Sequence, residues 1–512
     1  MNDYNLYLCM VERFSEAPDR QPFSKLPDDR THTYADVDKI SARFANTLIS
    51  LGVQPGDRVA AQVEKSLCAF FLYLGTLRAG AAFLPLNTAY TAAELAYFLG
   101  DAEPELFVCD PAKAAALAPV AEAADCTMVT MGGHRAGALP EGTLVGRMQA
   151  ASTRLRTVPR RPDDLAAILY TSGTTGRSKG AMLTHDNLWS NAQTLCDYWR
   201  FTSDDVLLHA LPLYHTHGLF TSSNTVMAAG ASMIYLPKFD ADEVIKWLPQ
   251  ATSMMGVPTF YTRLLARPDF DRELVAHMRL FTSGSAPLLA ETHKQFEERT
   301  GHRILERYGM TETNMNTSNP YDGDRRAGTV GFPLPGIEVR ISDSETGAPI
   351  SIGETGMIEV KGPNVFKGYW RNPEKTVEDF RSDVFFITGD LGMIDEHGYV
   401  TIVGRAKDLI ISGGFNVYPK EVEEAIDDLE GVEESAVVGV PHPDFGEGVV
   451  AVVVPQNGAE VCEEAVIGSL KDKLARFKQP KHVFLVDALP RNSMGKVQKK
   501  ELRDRYADLF KG

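Results

Sequence analysis

The sequence lacks any apolar run close to the roughly 18 residues that a membrane-spanning helix needs, so no membrane contact is expected. Its start, Met1-Asn-Asp-Tyr-Asn5, lacks the basic and then apolar segments of a secretory signal. Only six cysteines occur in 512 residues, and no pair has the Cys-x-x-Cys spacing of a metal or redox motif. Reduced thiols and a cytoplasmic location are therefore predicted.

An excess of basic residues is also lacking. The formal net charge of −16 argues against a nucleic-acid-binding surface. The hydrophobic content of 44% and the charged content of 23% are those of folded globular proteins. Because 512 residues exceed what one hydrophobic core usually holds, a multidomain protein is expected.

The sequence does contain a candidate phosphate-binding loop, which reads Tyr-Thr-Ser-Gly-Thr-Thr-Gly-Arg-Ser-Lys-Gly over residues 170–180. It follows an apolar run, residues 165–169, that predicts a buried strand. Glycines let backbone N–H groups close around phosphate oxygens, hydroxyls add donors, and the lysine adds a positive charge. The residue order differs from the Gly-x-x-x-x-Gly-Lys-Ser/Thr loop. The segment predicts a polyphosphate site formed by Thr171, Ser172, Gly173, Thr174, Thr175, Gly176 and Lys179.

The periodicity of apolar residues predicts an α/β fold. In the first part of the chain, helices are expected over residues 35–51 and 66–77 and strands over 59–63, 83–86 and 106–109. A helix is also expected after the loop, where Leu188, Ala192, Leu195 and Trp199 share one face. After Gly404, strands are expected over 409–411, 435–440 and 448–454, and helices over 419–426 and 463–477. We therefore predict a large N-terminal body of mostly parallel sheets with covering helices, residues 1–404, and a small C-terminal α+β lid domain, residues 405–512.

Six further segments carry polar or charged residues of the kind found in nucleotide sites. They are residues 211–217, 283–287, 308–313, 388–390, 404–408 and 490–496. With the phosphate loop, their types and order resemble those of the acyl-adenylate-forming superfamily, which includes acyl-CoA synthetases, peptide-synthetase adenylation domains and beetle luciferases. The resemblance covers nearly the whole chain. It implies that an acid is adenylated with ATP and Mg²⁺ and is then transferred to a thiol, that of coenzyme A in the acyl-CoA synthetases.

The resemblance also implies roles for individual residues. The nucleotide would be bound by Ser285, Ala286, Pro287, Glu306, Tyr308, Asp390 and Arg405, with Tyr308 stacked on adenine and Asp390 on the ribose hydroxyls. Thr311 would bond the α-phosphate and Glu312 would bind Mg²⁺. Lys496 would reach the reacting phosphate, so that the expected catalytic residues are Thr311, Glu312, Arg405 and Lys496.

A movement of the small domain is implied as well. Lys407 matches the hinge of the family, about which the lid rotates between the two half-reactions. Gly413 and Gly414 would then approach the pantetheine arm of coenzyme A. The same two glycines also fit an ordinary tight turn between strands.

Elementary chemistry supports this division of roles. A carboxylate is already ionised at pH 7 and needs no general base to attack phosphorus. It needs an in-line approach and cations that screen two anions from each other. Lys179, Arg405, Lys496 and Mg²⁺ can supply that positive charge.

Two arginines in segments that border the acyl pocket in the superfamily indicate the type of acid. A cation among apolar groups costs several kcal/mol unless it is paired, so Arg263 and Arg307 make sense if the substrate brings a second carboxylate. Each could instead form an ordinary salt bridge. Taken together with residues 306–317, these two arginines make the chain resemble malonyl-CoA synthetases. The choice between malonate and methylmalonate as substrate stays open. His209 and His215 are further candidates for the wall of the acid pocket.

Three alternatives remain at this point. The first is a synthetase for acetate or a medium-chain acid, and the second is an adenylation domain that loads a carrier protein. The third is a non-catalytic nucleotide sensor that kept the fold. A regulatory hypothesis also follows, because acylation of Lys496 by a lysine acetyltransferase, reversed by a deacetylase, would remove its charge.

Overall fold

The computed structural model describes residues 3–14, 17–171, 178–471, 473–492 and 495–510. The chain forms two compact units, Met1–Glu338 with Val360–Phe386 and Val339–Glu359 with Ile387–Gly512. The predicted boundary at residue 404 falls inside the second unit, because residues 387–404 belong to strands that pair within it. The hinge at Lys407 stays a prediction.

The first unit contains most of the helices. Their bounds are α1 Leu6–Val11, α2 Tyr34–Ser50, α3 Leu67–Arg78, α4 Ala92–Ala102, α5 Ala114–Ala123, α6 Thr143–Ala150, α7 His185–Tyr198, α8 Thr225–Ala229, α9 Ala241–Trp247, α10 Pro258–Leu265, α11 Arg272–Val275, α12 Ala290–Thr300 and α13 Pro373–Glu378. A fully buried π-helix, His217–Asn224, precedes α8. Several of these helices begin at a capping box, for example the one that Thr184 and Asn187 form at α7.

The strands of the first unit form two mostly parallel sheets. Their bounds are β1 Pro22–Lys25, β2 Thr31–Thr33, β3 Arg58–Gln62, β4 Ala82–Pro85, β5 Leu106–Cys109, β6 Thr127–Thr130, β7 Leu165–Thr171, β8 Lys179–Thr184, β9 Val206–His209, β10 Ser232–Tyr235, β11 Ser253–Gly256, β12 Leu280–Ser283, β13 Leu305–Met310, β14 Asn314–Ser318 and β15 Phe332–Pro333.

One sheet has the strand order β6-β5-β3-β4-β7-β8, and the other has the order β15-β14-β13-β12-β11-β9-β10-β1-β2. The central strands run parallel, and antiparallel neighbours occur towards the edges, as between β7 and β8 or β13 and β14. Helices cover these sheets, because their apolar faces pack on the buried strands in separate cores. The predicted α/β class is confirmed.

The second unit contains a smaller set of elements. They are β16 Glu338–Ser342, β17 Gly356–Lys361, β18 Phe386–Ile394, β19 Val400–Arg405, β20 Ile410–Ser412, β21 Phe415–Val417, β22 Val432–His442, β23 Gly446–Pro455, β24 His482–Leu485, α14 Pro419–Asp427, α15 Glu463–Leu470 and α16 Lys499–Tyr506. Strands β16–β19 form one sheet in chain order, and β20–β24 form another. The predicted α+β character of this C-terminal part is confirmed, although α15 ends earlier than expected.

The main departure from the predicted elements lies after the phosphate loop. Between the loop and the predicted helix lies strand β8, which was not predicted and which pairs antiparallel with β7. Helix α7 follows with Leu188, Ala192 and Leu195 on its buried face, as their spacing predicted. Within the described part of the chain, no helix is long and apolar enough to cross a membrane.

Candidate functional site

The strand order of the larger sheet reverses between β9 and β11. The connection after β9 leads to β10 on one side, whereas the connection after β11 leads to β12 on the other side. Open α/β sheets bind ligands beyond the carboxyl ends of their strands at such a switch point. The segments that follow β9, β11, β12 and β13 are those that contain the predicted site residues 209–217, 263, 285–287 and 311–312.

Strands β7 and β8 frame the predicted phosphate loop. Thr171 and Lys179 are paired residues at the end of this hairpin. The Lys179 Nζ lies 4.3 Å from the centroid of the Tyr369 ring and 3.9 Å from an Asp379 carboxylate oxygen. Ser172, Gly173, Thr174, Thr175 and Gly176 lie outside the described residues. The ends of the loop therefore place one cation next to Tyr369.

Tyr369 also contacts Glu312. Thr311, Glu312 and Thr313 form the turn between β13 and β14. The Tyr369 hydroxyl donates to Glu312 Oε1 at 3.2 Å, and Glu312 is only 6% exposed. Tyr369 thus links the lysine at the end of the phosphate loop to the predicted metal ligand.

The donor set near Glu312 suits Mg²⁺. No group of three or more His, Cys, Asp or Glu side chains that could hold a metal occurs among the described residues. Mg²⁺ usually binds one or two carboxylates and takes its other ligands from water and substrate phosphates. A single buried carboxylate fits that pattern, and a bound Mg²⁺ would neutralise phosphate charge there.

The residues predicted for the base of the nucleotide surround the ends of β12 and β13. Tyr308 and Glu306 are buried, and Glu306 Oε1 accepts from the Gly328 N–H at 3.3 Å. Ser285 has φ +72°, a left-handed conformation that is uncommon for a residue other than glycine. Ala286 and Pro287 follow it in the same segment after β12. Their binding of adenine stays a prediction.

Arg307 is the most unusual residue of this region. It is 3% exposed, and its Nε and Nη2 have no hydrogen-bond partner among the described residues. Burial lowers the pKa of Arg307 to about 9, so the guanidinium is still charged at neutral pH. A buried, unpaired cation is costly and is normally matched by an anion. The structure therefore has a place for a negative group that the described part of the chain does not supply.

The space for this guanidinium depends on Gly284. A Cβ built on Gly284 would lie 2.1 Å from Arg307 Nη1 and 2.3 Å from its Cζ. Such distances are impossible, so any larger residue would displace the side chain. Gly284 directly follows strand β12 and precedes Ser285.

His217 was not predicted from the sequence as a site residue, but it is close enough to Arg307 for the guanidinium charge to act on it. Its Nδ1 is 3.2 Å from Ser285 Oγ, and its buried Nε2 has no partner among the described residues. Burial and then the Arg307 charge hold the pKa of His217 well below its usual range. His217 is therefore neutral and leaves one ring nitrogen available for a ligand.

His209 and His215, the two histidines predicted from the sequence, differ in their hydrogen-bond partners. Burial lowers the pKa of His215 to about 4, and its Nε2 has no partner within the described residues. His209 instead has both ring nitrogens engaged, Nδ1 with Lys65 at 2.8 Å and Nε2 with the Gly218 carbonyl at 2.9 Å. His215 therefore has one ring nitrogen without a described partner, whereas both ring nitrogens of His209 are already engaged by protein groups.

The expectation that both arginines are buried holds for Arg307 but not for Arg263, whose side chain is exposed. Helix α10 turns Tyr261 and Leu264 inward, and residues at 3.6-residue spacing share a face. Arg263 lies off that face, which explains its exposure. Its contact with a substrate stays a prediction.

The second unit holds another group of predicted residues. Asp390 and Arg405 are paired across β18 and β19, and the Arg405 Nε lies 2.8 Å from Asp390 Oδ1. The Asp390 N–H donates to Thr388 Oγ1 at 3.0 Å, which fixes the carboxylate-bearing residue. Asp390 is 3% exposed.

Lys496 belongs to the same unit. The surrounding protein atoms and then the Arg405 charge lower its pKa to about 8, although part of its side chain remains exposed. Lys407 lies in the short helical turn Ala406–Asp408 directly after β19 and is also exposed.

Gly413 and Gly414 form the turn between β20 and β21. Their φ values are +60° and +82°, and the flanking residues Ser412 and Phe415 are paired. Two successive left-handed residues are typical of a tight hairpin turn, for which glycine is favoured. Ile411 and Phe415 beside the turn are 54% and 57% exposed. The turn is confirmed as a structural feature, and coenzyme A binding stays a prediction.

The fold and the two groups of residues define an enzyme that binds a nucleotide and a small anionic substrate. A model described as "AMP-binding enzyme" matches residues 11–370, and one described as "AMP-binding enzyme C-terminal domain" matches residues 421–496. The chain belongs to the AMP-binding enzyme family.

Relatives and solved structures agree with this membership. The chain is 36% identical over 466 residues to a malonate–CoA ligase from Arabidopsis thaliana, which covers 84% of this chain and 75% of that protein. It is 36% identical over 482 residues to a feruloyl-CoA synthase from Amycolatopsis sp., covering 93% and 94%. The crystal structure of ATP-bound MatB from Rhodopseudomonas palustris is similar with a TM-score of 0.97 and 57% identity, covering 99% of this chain and 100% of that one.

Proposed function

We propose that this enzyme joins malonate to coenzyme A in two steps driven by ATP. The observation that carries the proposal is the buried guanidinium of Arg307, whose Nε and Nη2 are unpaired among the described residues and which lies beside the neutral His217. A substrate carboxylate can accept from the planar guanidinium through two bonds, and His217 Nε2 can add a third. The similarity to a malonate–CoA ligase and to MatB supports the same substrate.

In the first step, an oxygen of the reacting carboxylate attacks the α-phosphorus of ATP and pyrophosphate leaves. The acid becomes an acyl-adenylate, a mixed anhydride whose leaving group is AMP. We assign Thr311 to the α-phosphate and Lys179 to the polyphosphate, and we assign Arg405 and Lys496 to the developing charge. Glu312 would hold Mg²⁺.

In the second step, the coenzyme A sulfur attacks the acyl carbon of the adenylate. The carbon–oxygen bond to AMP breaks, the thiol proton is released, and malonyl-CoA and AMP are the products. A rotation about Lys407 and an approach of Gly413 and Gly414 to the pantetheine arm remain parts of this proposal. The exposed side chain of Lys496 also supports regulation by a lysine acetyltransferase and a deacetylase, and a cytoplasmic location remains our expectation.

A panel of mono- and dicarboxylic acids tests the substrate. Purified protein is supplied with ATP, Mg²⁺ and coenzyme A, and AMP and thioester are measured for malonate, methylmalonate, succinate, acetate, octanoate and ferulate. We expect malonate or methylmalonate to give the highest kcat/KM. Preference for any monocarboxylic acid would overturn the diacid assignment.

The remaining alternatives are separated by two further measurements. Replacing coenzyme A with a carrier protein tests whether the thiol acceptor is the free cofactor. Exchange of labelled pyrophosphate into ATP should require the acid but not coenzyme A, and no exchange with any acid would favour a nucleotide sensor.

A further inference from the structure

A buried lysine outside the predicted site residues contacts the wall of the acid pocket. Lys65 follows strand β3 and precedes helix α3, so it extends from the smaller sheet of the first unit. It is 7% exposed, and its Nζ lies 4.4 Å from the centroid of the Tyr235 ring. No described carboxylate lies within ion-pair distance of this amine. Burial holds the pKa of Lys65 well below its usual range, because desolvation disfavours the charged amine and no described carboxylate offsets it.

Both hydrogen-bond contacts of the Lys65 amine are made with one residue, His209. Its Nζ lies 2.8 Å from His209 Nδ1 and 2.9 Å from the His209 carbonyl oxygen. A carbonyl oxygen can only accept, so the Gly218 carbonyl at 2.9 Å requires a proton on His209 Nε2. Neutral His209 then accepts at Nδ1, and the amine of Lys65 is the donor. The lysine therefore fixes both the tautomer and the orientation of the ring.

His209 transmits this constraint to the pocket. Gly218, whose carbonyl it bonds, directly follows His217 at the start of the π-helix. Ser223 Oγ donates to the same carbonyl at 2.9 Å, so the first turn of that helix is held from two directions. His217 is the residue that lies beside Arg307. The contacts run in series from Lys65 to His209, to the Gly218 peptide and to His217.

We propose that Lys65 is a positioning residue for the distal carboxylate of the substrate. By holding His209 against the Gly218 carbonyl, it sets the position of His217 beside Arg307, and it adds a second buried basic group behind the pocket wall. This inference rests on the proposed function, because it assigns Lys65 to the recognition of the second carboxylate and not to the nucleotide.

The test compares Lys65→Met and Lys65→Ala with the wild type. Lys65→Met keeps the length of the side chain and removes the hydrogen-bond donor. We expect its kcat/KM for malonate to fall about 10- to 100-fold, mainly through KM, while the KM for ATP stays within about twofold. The kcat/KM for acetate should change by less than about twofold. The ratio of kcat/KM for malonate to that for acetate should therefore fall.

A chemical rescue distinguishes positioning from general stability. In Lys65→Ala, added ethylammonium can occupy the vacated space and should restore malonate turnover at least fivefold without changing acetate turnover. Tyr235→Phe is the matched control, because it removes the 3.2 Å bond to the Ser66 carbonyl beside Lys65 and leaves the amine in place. This control should keep the wild-type malonate-to-acetate ratio.

Several outcomes would overturn the inference. One is an unchanged malonate-to-acetate ratio in Lys65→Met. Another is an equal loss for both acids in both Lys65 variants without rescue, which would show a structural role only. If Lys65→Met does not fold, failure of ethylammonium to restore malonate selectivity in Lys65→Ala also counts against it. Absence of malonate turnover in the wild type would instead remove the proposed function.

Discussion

At the scale of single residues, the proposed acid pocket depends on buried basic side chains that the described part of the chain does not pair with carboxylates. Arg307 and Lys65 are both buried, and neither has a described carboxylate within ion-pair distance. Natural proteins rarely keep such groups for stability, because replacing a buried charge with an apolar side chain often stabilises the fold. We propose that binding of an anion explains their presence here.

Substitution of Arg307 tests this explanation directly. Arg307→Met should lower kcat/KM for malonate by about 100-fold or more, because the second carboxylate loses a bidentate partner in a buried site. The turnover of acetate should be nearly unchanged. Steady-state kinetics with both acids provides the measurement, and Arg272→Met, which changes an exposed arginine, is the control.

Arg263 offers a graded comparison. Its side chain is exposed, so any bond to the substrate would compete with water. Arg263→Met should therefore lower kcat/KM for malonate by less than about tenfold. A loss equal to that of Arg307→Met would show that Arg263 becomes buried when the substrate binds.

Lys496 should give the adenylation step a characteristic pH dependence. Its pKa of about 8 in the free enzyme means that the ammonium loses its proton as the pH rises through that value. Because the charged form binds phosphate, kcat/KM for ATP in pyrophosphate exchange should fall above pH 8. Lys496→Met should be slow and should show no such fall. A wild-type profile that stays flat from pH 7 to 9.5 would contradict this role.

At the scale of elements, the strand ends of the larger sheet position the site. The sequence could indicate residues 211–217, 283–287 and 308–313 because they are compact segments with distinctive polar residues, and the roles of their side chains stay predictions. Lys65, Tyr369 and Asp379 could not be predicted in this way, since they reach the site through contacts between residues far apart in the chain. His217 lies in the same predicted segment as His215, and the sequence alone gave no reason to choose it. Its contact with Ser285 is seen only in the folded structure.

The limits of periodicity explain the other departures. Strand β8 was not predicted because its residues 179–184 overlap the polar loop and give only a short apolar pattern before α7. Arg263 was expected to be buried because of the segment that contains it, but the phase of α10 turns it outward. The core elements with clear periods, such as α2 and α14, were found within one residue of their predicted ends.

Gly284, which directly follows strand β12, gives a prediction about the space that Arg307 occupies. Gly284→Ala should move the Arg307 guanidinium, since the new Cβ would lie 2.1 Å from Nη1. We expect kcat/KM for malonate to fall about 10- to 100-fold. Binding of ATP should change little, which isothermal titration can verify. Unchanged malonate kinetics would show that the guanidinium can move without loss of function.

Helix α14 gives a prediction about stability. Burial raises the pKa of Asp427 at its C-terminus to about 7, and one of its carboxylate oxygens has no described partner. The folded state therefore keeps a proton that the unfolded chain releases near pH 4. Stability falls as the pH rises between these values, because the folded state binds more protons in that window.

The substitution Asp427→Asn removes this dependence. The amide stays neutral, so the variant should unfold at a higher temperature than the wild type at pH 8.5. At pH 5 the two should differ little, because the wild-type carboxyl is then protonated in the folded state. Differential scanning calorimetry at both pH values checks the prediction, and a variant that is less stable at pH 8.5 would contradict it.

At the scale of the whole molecule, the two compact units divide the predicted residues. The first contains the phosphate loop, the Glu312 turn and the acid pocket. The second contains Asp390, Arg405, Lys407, Lys496 and the Gly413–Gly414 turn. Because the second unit includes residues 339–359 and 387–404, a cut at residue 404 would leave nearly the whole β16–β19 sheet on the N-terminal fragment and separate it from β20–β24. Expression of separate units should therefore use boundaries that keep these strands together.

The unbalanced guanidinium of Arg307 has a consequence for the empty enzyme. A small dianion would act as the counter-ion that this buried guanidinium lacks among the described residues, and its binding would stabilise the folded state. Malonate alone, before any nucleotide arrives, should therefore raise the unfolding temperature, with a gain of about 2.7 kcal/mol at a concentration 100 times its Kd. Scanning calorimetry should show no such gain with acetate or in Arg307→Met, and inorganic anions such as sulfate should act as weak substitutes that compete with the acid.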